Sequence, residues 1–399
     1  MNIGSEIEFG FDELFFSRTN KKGIIESGNS IFQRVSEFEW DDILGKPHRV
    51  VRHPDMPRGA FHYLWEMILS GQMIGAYVVN RTKNDSYYWV YALVTPIENG
   101  FLSVRLKPSS PNLFIIKEKY SQLLSLEKEK QLSPKESQKQ LLSIITDLGF
   151  KDYRHFMVES LMKELEYRQI QLNAAPITIL CHLEEALKTG ELLQKKSEEI
   201  SFHYKKTAMI PLNLQVQAAR IGEEAAPIAT ISSQYDRLAQ EIQEEIGKFV
   251  VAGKTVQEKI QDCQFSICNS LLQKEMYDLF EKETKQTPVD KVQEMKLLQE
   301  LSQKQLEKAR QNIHETQKVF VEFKEVHANV RNLSIGLEMI SISGKMEAAK
   351  LSVTSRELHG LLKELSVFKD YLKQTLKEID ELGVSMFVLN EKMKRLINE

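Results

Sequence analysis

Between Pro47 and Pro57 the chain reads Pro-His-Arg-Val-Val-Arg-His-Pro-Asp-Met-Pro, which sets a guanidinium, an imidazole and a carboxylate on one short segment. Pro54 and Pro57 each fix φ and drive the residue before them away from the helical region, so the segment is stiff. A rigid loop carrying Arg52, His53 and Asp55 suits capture of an anionic or aromatic ligand. The same three side chains could equally do no more than pair with one another.

The elements around this loop read as a small α+β domain. Leu14–Thr19 and Gly23–Glu26 flank the turn residues Asn20-Lys21-Lys22 and form a first hairpin. Met73–Arg81 and Tyr87–Pro96 are rich in β-branched and aromatic residues, and Lys83-Asn84-Asp85 joins them. Asn99-Gly100 then separates two apolar runs, the strongest short hairpin signal, before the strand Phe101–Leu106. Short helices fit between Ser30 and Gly45 and from Arg58 to Leu69. Phe16, Phe32, Phe61, Trp65 and Trp89 are assigned first to the core.

Particular words of this region resemble a known family. Gly45-Lys46-Pro47-His48, Val51 through Pro57, Ala60-Phe61, Leu64-Trp65, Asn80-Arg81, Tyr87-Tyr88-Trp89-Val90 and Ser103-Val104-Arg105 occur in unbroken order. Over roughly residues 11–108 they look like the PAS domain of bacterial aerotaxis receptors. The resemblance implies an antiparallel sheet with short helices that holds flavin adenine dinucleotide (FAD) and reports redox state to a chemotaxis kinase. Carried over position by position, it implies Asn29, Arg52, His53, Asp55 and Asn80 as cofactor contacts. Where those receptors carry a pocket tryptophan this chain has Ile74, so one aromatic partner of the isoalloxazine ring is missing. Haem is an alternative, because His48, His53 and His62 lie close in sequence, and a cofactor-free domain is another.

Composition bounds the rest. Lys+Arg 53 against Asp+Glu 56 gives a net charge of −3, which argues against a nucleic-acid partner. The three cysteines, Cys181, Cys263 and Cys268, suit reduced thiols, not a disulfide framework or a metal cluster. No secretory signal is visible, and no apolar run approaches the ~18 residues of a membrane span. A cytoplasmic location is expected, unlike the membrane-anchored receptors of the familiar type. No Gly-rich phosphate loop, nucleophile triad or His-Glu-x-x-His pair occurs, so the expectation is not an enzyme.

Three domains are expected: a PAS sensor over 1–110, a helical connector over 111–170, and long helical hairpins over 171–399. Ser133-Pro134-Lys135-Glu136 is a capping box within the connector. A helix opening after a turn at Thr284–Thr287 and running from Pro288 to Leu351 would be about 96 Å long, a length that suits a coiled coil. Its expected seam is Phe323, Val326, Val330, Leu333, Leu337 and Ile340, in heptad steps. Pro211 should kink the first ascending helix.

Two segments, 213–223 and 343–351, share an Ala-Ala core flanked by charge and align without gaps over Asn213–Ile221 and Ser343–Leu351. Both are similar to the hairpin tip of methyl-accepting chemotaxis proteins. That resemblance implies partner-binding positions at Asn213, Gln217, Arg220, Glu347 and Lys350. It further implies a four-helix bundle made by one chain, a monomeric pseudo-dimer with both tips at one end. The function expected is a PAS-based transducer of the chemotaxis or aerotaxis type, acting on a chemotaxis histidine kinase and coupling protein. The alternative is a non-catalytic scaffold with a cofactor-free PAS domain.

Overall fold

The computed structural model describes residues 4–285, 287–351 and 356–398. Gln286, inside the expected Thr284–Thr287 turn, lies outside the described residues. The chain forms two compact units. One comprises Met1–Leu180 with Cys263–Ala309, the other Cys181–Asp262 with Arg310–Glu399. The expected boundaries at 110 and 170 both fall inside the first unit.

The first unit is built on a five-stranded antiparallel sheet: β1 (Phe15–Asn20), β2 (Ile25–Gly28), β3 (Ile74–Arg81), β4 (Tyr87–Ile97) and β5 (Gly100–Leu106), in the order β2-β1-β5-β4-β3. Asn20 closes the first hairpin by accepting from the amides of Lys22 and Ile24 at 2.9 and 3.1 Å, while Gly23 takes φ +73°. Between β2 and β3 lie α1 (Ser30–Ser36), α2 (Trp40–Ile43), a 3₁₀ turn (His48–Val51) and α3 (Arg58–Leu69). Asn29 caps α1, accepting from Phe32 N at 3.3 Å.

Three helices follow: α4 (Pro111–Glu129), α5 (Pro134–Asp147) and α6 (Tyr153–Gln171). The Ser133/Glu136 capping box forms as the sequence indicates. These helices are fastened to the sheet domain by buried carboxyl groups at helix N-termini. Glu127 of α4 accepts from Arg58 N at 2.7 Å and Gly59 N at 3.3 Å, so it caps α3. Glu164 of α6 accepts from Ser109 N and Ser110 N at 2.6 and 3.1 Å at the start of α4, and from Tyr77 Oη at 2.7 Å on β3.

Residues alternate across each strand, and the two faces of the sheet meet different neighbours. The face bearing Phe16, Tyr77, Tyr91 and Thr95 packs against α6 and the C-terminal stretch of a long helix, α9 (Ala226–Lys282). Phe16 meets Phe280 edge-on at 5.1 Å, and Gln273 donates to Thr95 Oγ1 at 3.4 Å. Arg18 donates to the buried Glu294 at 2.8 Å at the start of α10 (Lys291–Ala348). Arg168 of α6 donates to both oxygens of Glu275 at 2.6 Å.

The second unit is a packing of four helical arms. They are α7 (Thr178–Thr207) with α8 (Ile210–Ile221), the N-terminal part of α9, the C-terminal part of α10, and α11 (Arg356–Asn398). Pro211 acts more strongly than a kink: the helix stops at Thr207 and restarts with Pro211 in the first turn of α8. Phe249 stacks on Phe323 at 4.4 Å, and Tyr204 meets Phe368 at 6.1 Å.

The seam of α10 differs from the expected one. Phe323, Val330 and Leu337 are buried, but Val326, Leu333 and Ile340 are only half-buried. The interior positions between them are taken by His327, Ser334 and Ser341, continuing to Gly344 and Ala348. Reading by apolarity alone chose the flanking residues; the helices approach closely enough that small side chains face inward. A Cβ on Gly344 would lie 2.8 Å from Leu362 and 3.9 Å from Ile231, which shows how tight that end is.

Candidate functional site

The inner face of the sheet carries Ser17 and Thr19 from β1, Asn80 from β3, Ala92 and Val94 from β4, and Phe101, Ser103 and Arg105 from β5. Strand alternation puts the last three on one side, since they are two apart. Across from them α3 contributes Phe61, Leu64, Trp65 and Ile68, and the 3₁₀ turn contributes His48. Together they line a cavity of about 60 Å³.

Arg105 is the chemical centre of the cavity. It is 3 % exposed, and its guanidinium lies 5.7 and 5.5 Å from the rings of Phe15 and Phe32. Its Nη2 donates to His48 Nε2 at 2.8 Å, and Nη1 reaches Ser103 O at 3.5 Å. Among the described residues no Asp or Glu lines the cavity. Burial pushes the Arg105 guanidinium down to about 10, so it keeps its charge at neutral pH. Burial, aided by the Arg105 charge, takes His48 down to about 3. His48 is therefore a neutral acceptor at Nε2. The Ser103 hydroxyl is buried without a hydrogen-bond partner.

His48, Phe61 and Trp65 also line an open groove of about 790 Å³ on the other side, and so form the wall between the two spaces. Lys22, Arg49, Arg52 and Arg58 face that groove, again with no acidic residue along it. Gly23 has φ +73°, and a Cβ there would lie 2.7 Å from the Trp65 ring; the ring needs that missing side chain to sit where it does. Phe61, Trp65 and Trp89, assigned to the core from sequence, are only half-buried, and all three line grooves.

Of the five cofactor positions implied by resemblance, the structure brings only Asn80 to the cavity. Asn29 is committed to structure: its Oδ1 accepts from Phe16 N and Phe32 N, and its Nδ2 donates to Leu14 O at 3.2 Å. Arg52 stacks 4.2 Å above Phe61 and donates to Met56 O at 3.2 Å, on the groove side of the wall. His53 and Asp55 face a separate groove beside Tyr87 and Trp89. There the Asp55 amide donates to His53 Nδ1 at 3.1 Å, and burial lowers the His53 pKa against the pull of Asp55. The loop is thus largely occupied with itself.

The residues that the resemblance implies for a flavin are not gathered around this cavity. Haem fits no better, because His48 Nε2 is held by Arg105 and His62 Nδ1 lies 2.5 Å from Gln138 Oε1. Among the described residues no cluster of three or more metal-ligating side chains occurs. Sequence reasoning quoted Arg105 without assigning it a role. The alternation Phe101, Ser103, Arg105 was the signal that would have placed it inside.

In the second unit the two tip segments lie at the same end. Ser232, early in α9, donates to Pro211 O of α8, and its neighbour Ile231 lies beside Gly344 of α10. Asn213 and Arg220 are exposed, and Gln217 is half-buried on α8. Glu347 pairs with Lys350 at 2.7 Å.

The five-stranded antiparallel sheet, with a polar cavity closed by α3 and a 3₁₀ turn on its inner face, is the PAS architecture, and the sequence model of the PAS fold family matches residues 26–103. This part of the chain is a PAS domain. The chain is also 32 % identical over 117 residues to the aerotaxis receptor of Escherichia coli (strain K12). That stretch is 28 % of this chain and 23 % of the relative, so the match spans about a quarter of the length of each. Among the described residues no helix is long and apolar enough to cross a membrane.

Proposed function

We propose that this chain is a PAS-based signal transducer of the chemotaxis type, in which a change at the inner cavity alters the packing of α9 and α10. The tips at 213–223 and 343–351 then act on a chemotaxis histidine kinase and its coupling protein. In this reading the protein works in the cytoplasm and catalyses nothing itself. The observation that carries the reading lies in three consecutive residues of β1. Ser17 lines the cavity, while Phe16 and Arg18 on the opposite face touch Phe280 of α9 and Glu294 of α10. One strand thus separates the ligand space from two helices that each supply residues to both compact units. Helical packings with two discrete arrangements can carry such a change along their length.

The test is autophosphorylation of a chemotaxis histidine kinase with its coupling protein, with and without the full chain. The rate should change when the chain is added, and the double charge reversal Arg220→Glu with Glu347→Lys should remove the effect. An unchanged rate in both cases sinks the transducer reading. The scaffold reading, with a cofactor-free PAS domain, would then stand. No flavin step belongs to either reading.

A further inference from the structure

We propose that the inner-face PAS cavity is a binding site for a short-chain carboxylate, held by Arg105. A guanidinium 97 % removed from solvent needs an anion or strong acceptors around it, because an unpaired buried charge is costly. The protein supplies one neutral imidazole nitrogen and one long contact to a carbonyl. Among the described residues no carboxylate lines the space. Phe15 and Phe32 flank the ion but contribute only a cation–π share. The missing partner is negative.

The walls define the rest of the ligand. A planar guanidinium matches a carboxylate in two-point fashion. The Ser103 hydroxyl, buried and unpartnered, and the Ser17 hydroxyl line the same space and can donate to the same group. Leu64 and Ile68 of α3, across the cavity, and Val78 and Val94, beside the serines on the sheet, supply aliphatic surface that suits a short hydrocarbon tail. A cavity of about 60 Å³ suits a small anion. Propionate and pyruvate meet these conditions; dicarboxylates and nucleotides do not, because the cavity offers one charge and little length.

This inference deepens the sensor reading and rests on it for its biological meaning, but binding is measured without any kinase. The full chain is titrated with sodium propionate, sodium pyruvate and, as control, sodium chloride, and the melting midpoint of tryptophan fluorescence is followed. Trp40, Trp65 and Trp89 are the only tryptophans and all belong to the PAS domain, so the signal is local. A saturable rise with propionate or pyruvate, absent with chloride at equal ionic strength, is expected. Arg105→Met should weaken half-saturation roughly 10–100-fold. If that variant does not fold, Ser103→Ala serves, with an expected loss of about threefold or more from one hydroxyl. No saturable response to either carboxylate overturns the proposal, as does an equal response to chloride or equal responses of wild type and both variants. A kinase effect without carboxylate binding would retire the ligand and leave the transducer; carboxylate binding without a kinase effect would do the reverse.

Discussion

Removing the Glu164 carboxyl group should loosen the joint between the sheet and the helices that follow it. Glu164 is fully buried and accepts from four donors: Ser109 N, Ser110 N, Ser110 Oγ and Tyr77 Oη, at 2.6, 3.1, 2.6 and 2.7 Å. Two of these are amides at the N-terminus of α4, which have no partner within the helix. Burial pushes the Tyr77 phenol far above its ordinary range, so its hydroxyl remains a donor. Each buried donor left without an acceptor costs about 1–3 kcal/mol. Relaxation prevents simple addition of these four losses, and about 3–5 kcal/mol remains. That is the expected effect of Glu164→Ala. Glu164→Gln keeps one oxygen but turns an amine toward the other donors, so about half that loss is expected.

Urea unfolding followed by tryptophan emission measures this directly. With a slope of about 1–3 kcal/mol per molar urea, Glu164→Ala should lower the midpoint by roughly 2 M. Tyr77→Phe removes one donor and should cost about 1 kcal/mol alone, yet almost nothing in the Glu164→Ala background. A loss below about 1 kcal/mol for Glu164→Ala, or additive single and double variants, would refute the claim that these groups act as one network.

Two further outcomes follow from particular neighbours. His48 has its pKa lowered to about 3 from an ordinary 6.5, so between these values the unfolded chain binds a proton that the folded chain refuses. Its contribution is intact above about pH 6.5 and is lost as pH falls toward 3, by at most about 1.4 kcal/mol per pH unit. His48→Gln should therefore flatten the decline in urea midpoint between pH 7 and 4.5; parallel curves for the two proteins would contradict the assignment. Gly59 sits where α3 meets α5, and a Cβ there would collide with the backbone of Ser137 and Gln138. Gly59→Ala should cost about 1–3 kcal/mol in the same unfolding assay despite its favourable helix propensity, and a stabilised variant would show that the two helices slide apart freely.

The strands of the PAS domain were legible because their signals are local. Asn99-Gly100 and the alternating runs on either side place β4 and β5 to within a residue, and Met73–Arg81 differs from β3 only at its first position. The Ser133 capping box was likewise readable, since its partners are three residues apart. The site was less legible. Arg52, His53 and Asp55 stand out in a list of residue types, but they satisfy one another and neighbouring backbone. Arg105 is unremarkable in sequence, and its importance comes from what fails to surround it. Phe16 shows the same limit: its apolar character announces burial, but not that the covering residue is Phe280, more than 260 positions away.

The placement of small residues along α10 bears on how much ligand energy a transducer of this kind would need. Towards the tips its inward positions are Ser334, Leu337, Ser341, Gly344 and Ala348, mostly small, and they bury less apolar area than the Phe320 and Phe323 positions further back. Weak burial at that end leaves alternative helix packings close in free energy, whereas the aromatic stretch fixes one arrangement. A ligand can shift an equilibrium only by its difference in affinity for the two states. Coupling between sites is usually about 1–3 kcal/mol, the range that one or two charge-assisted hydrogen bonds to Arg105 could supply. Replacing Ser341 by Leu would overfill an inward position where the helices approach closely and so favour one packing over another. In the sensor reading this should lock the kinase output in one state while leaving carboxylate binding at the PAS cavity unchanged. A variant that still switches fully would show that the tip end is not the compliant element.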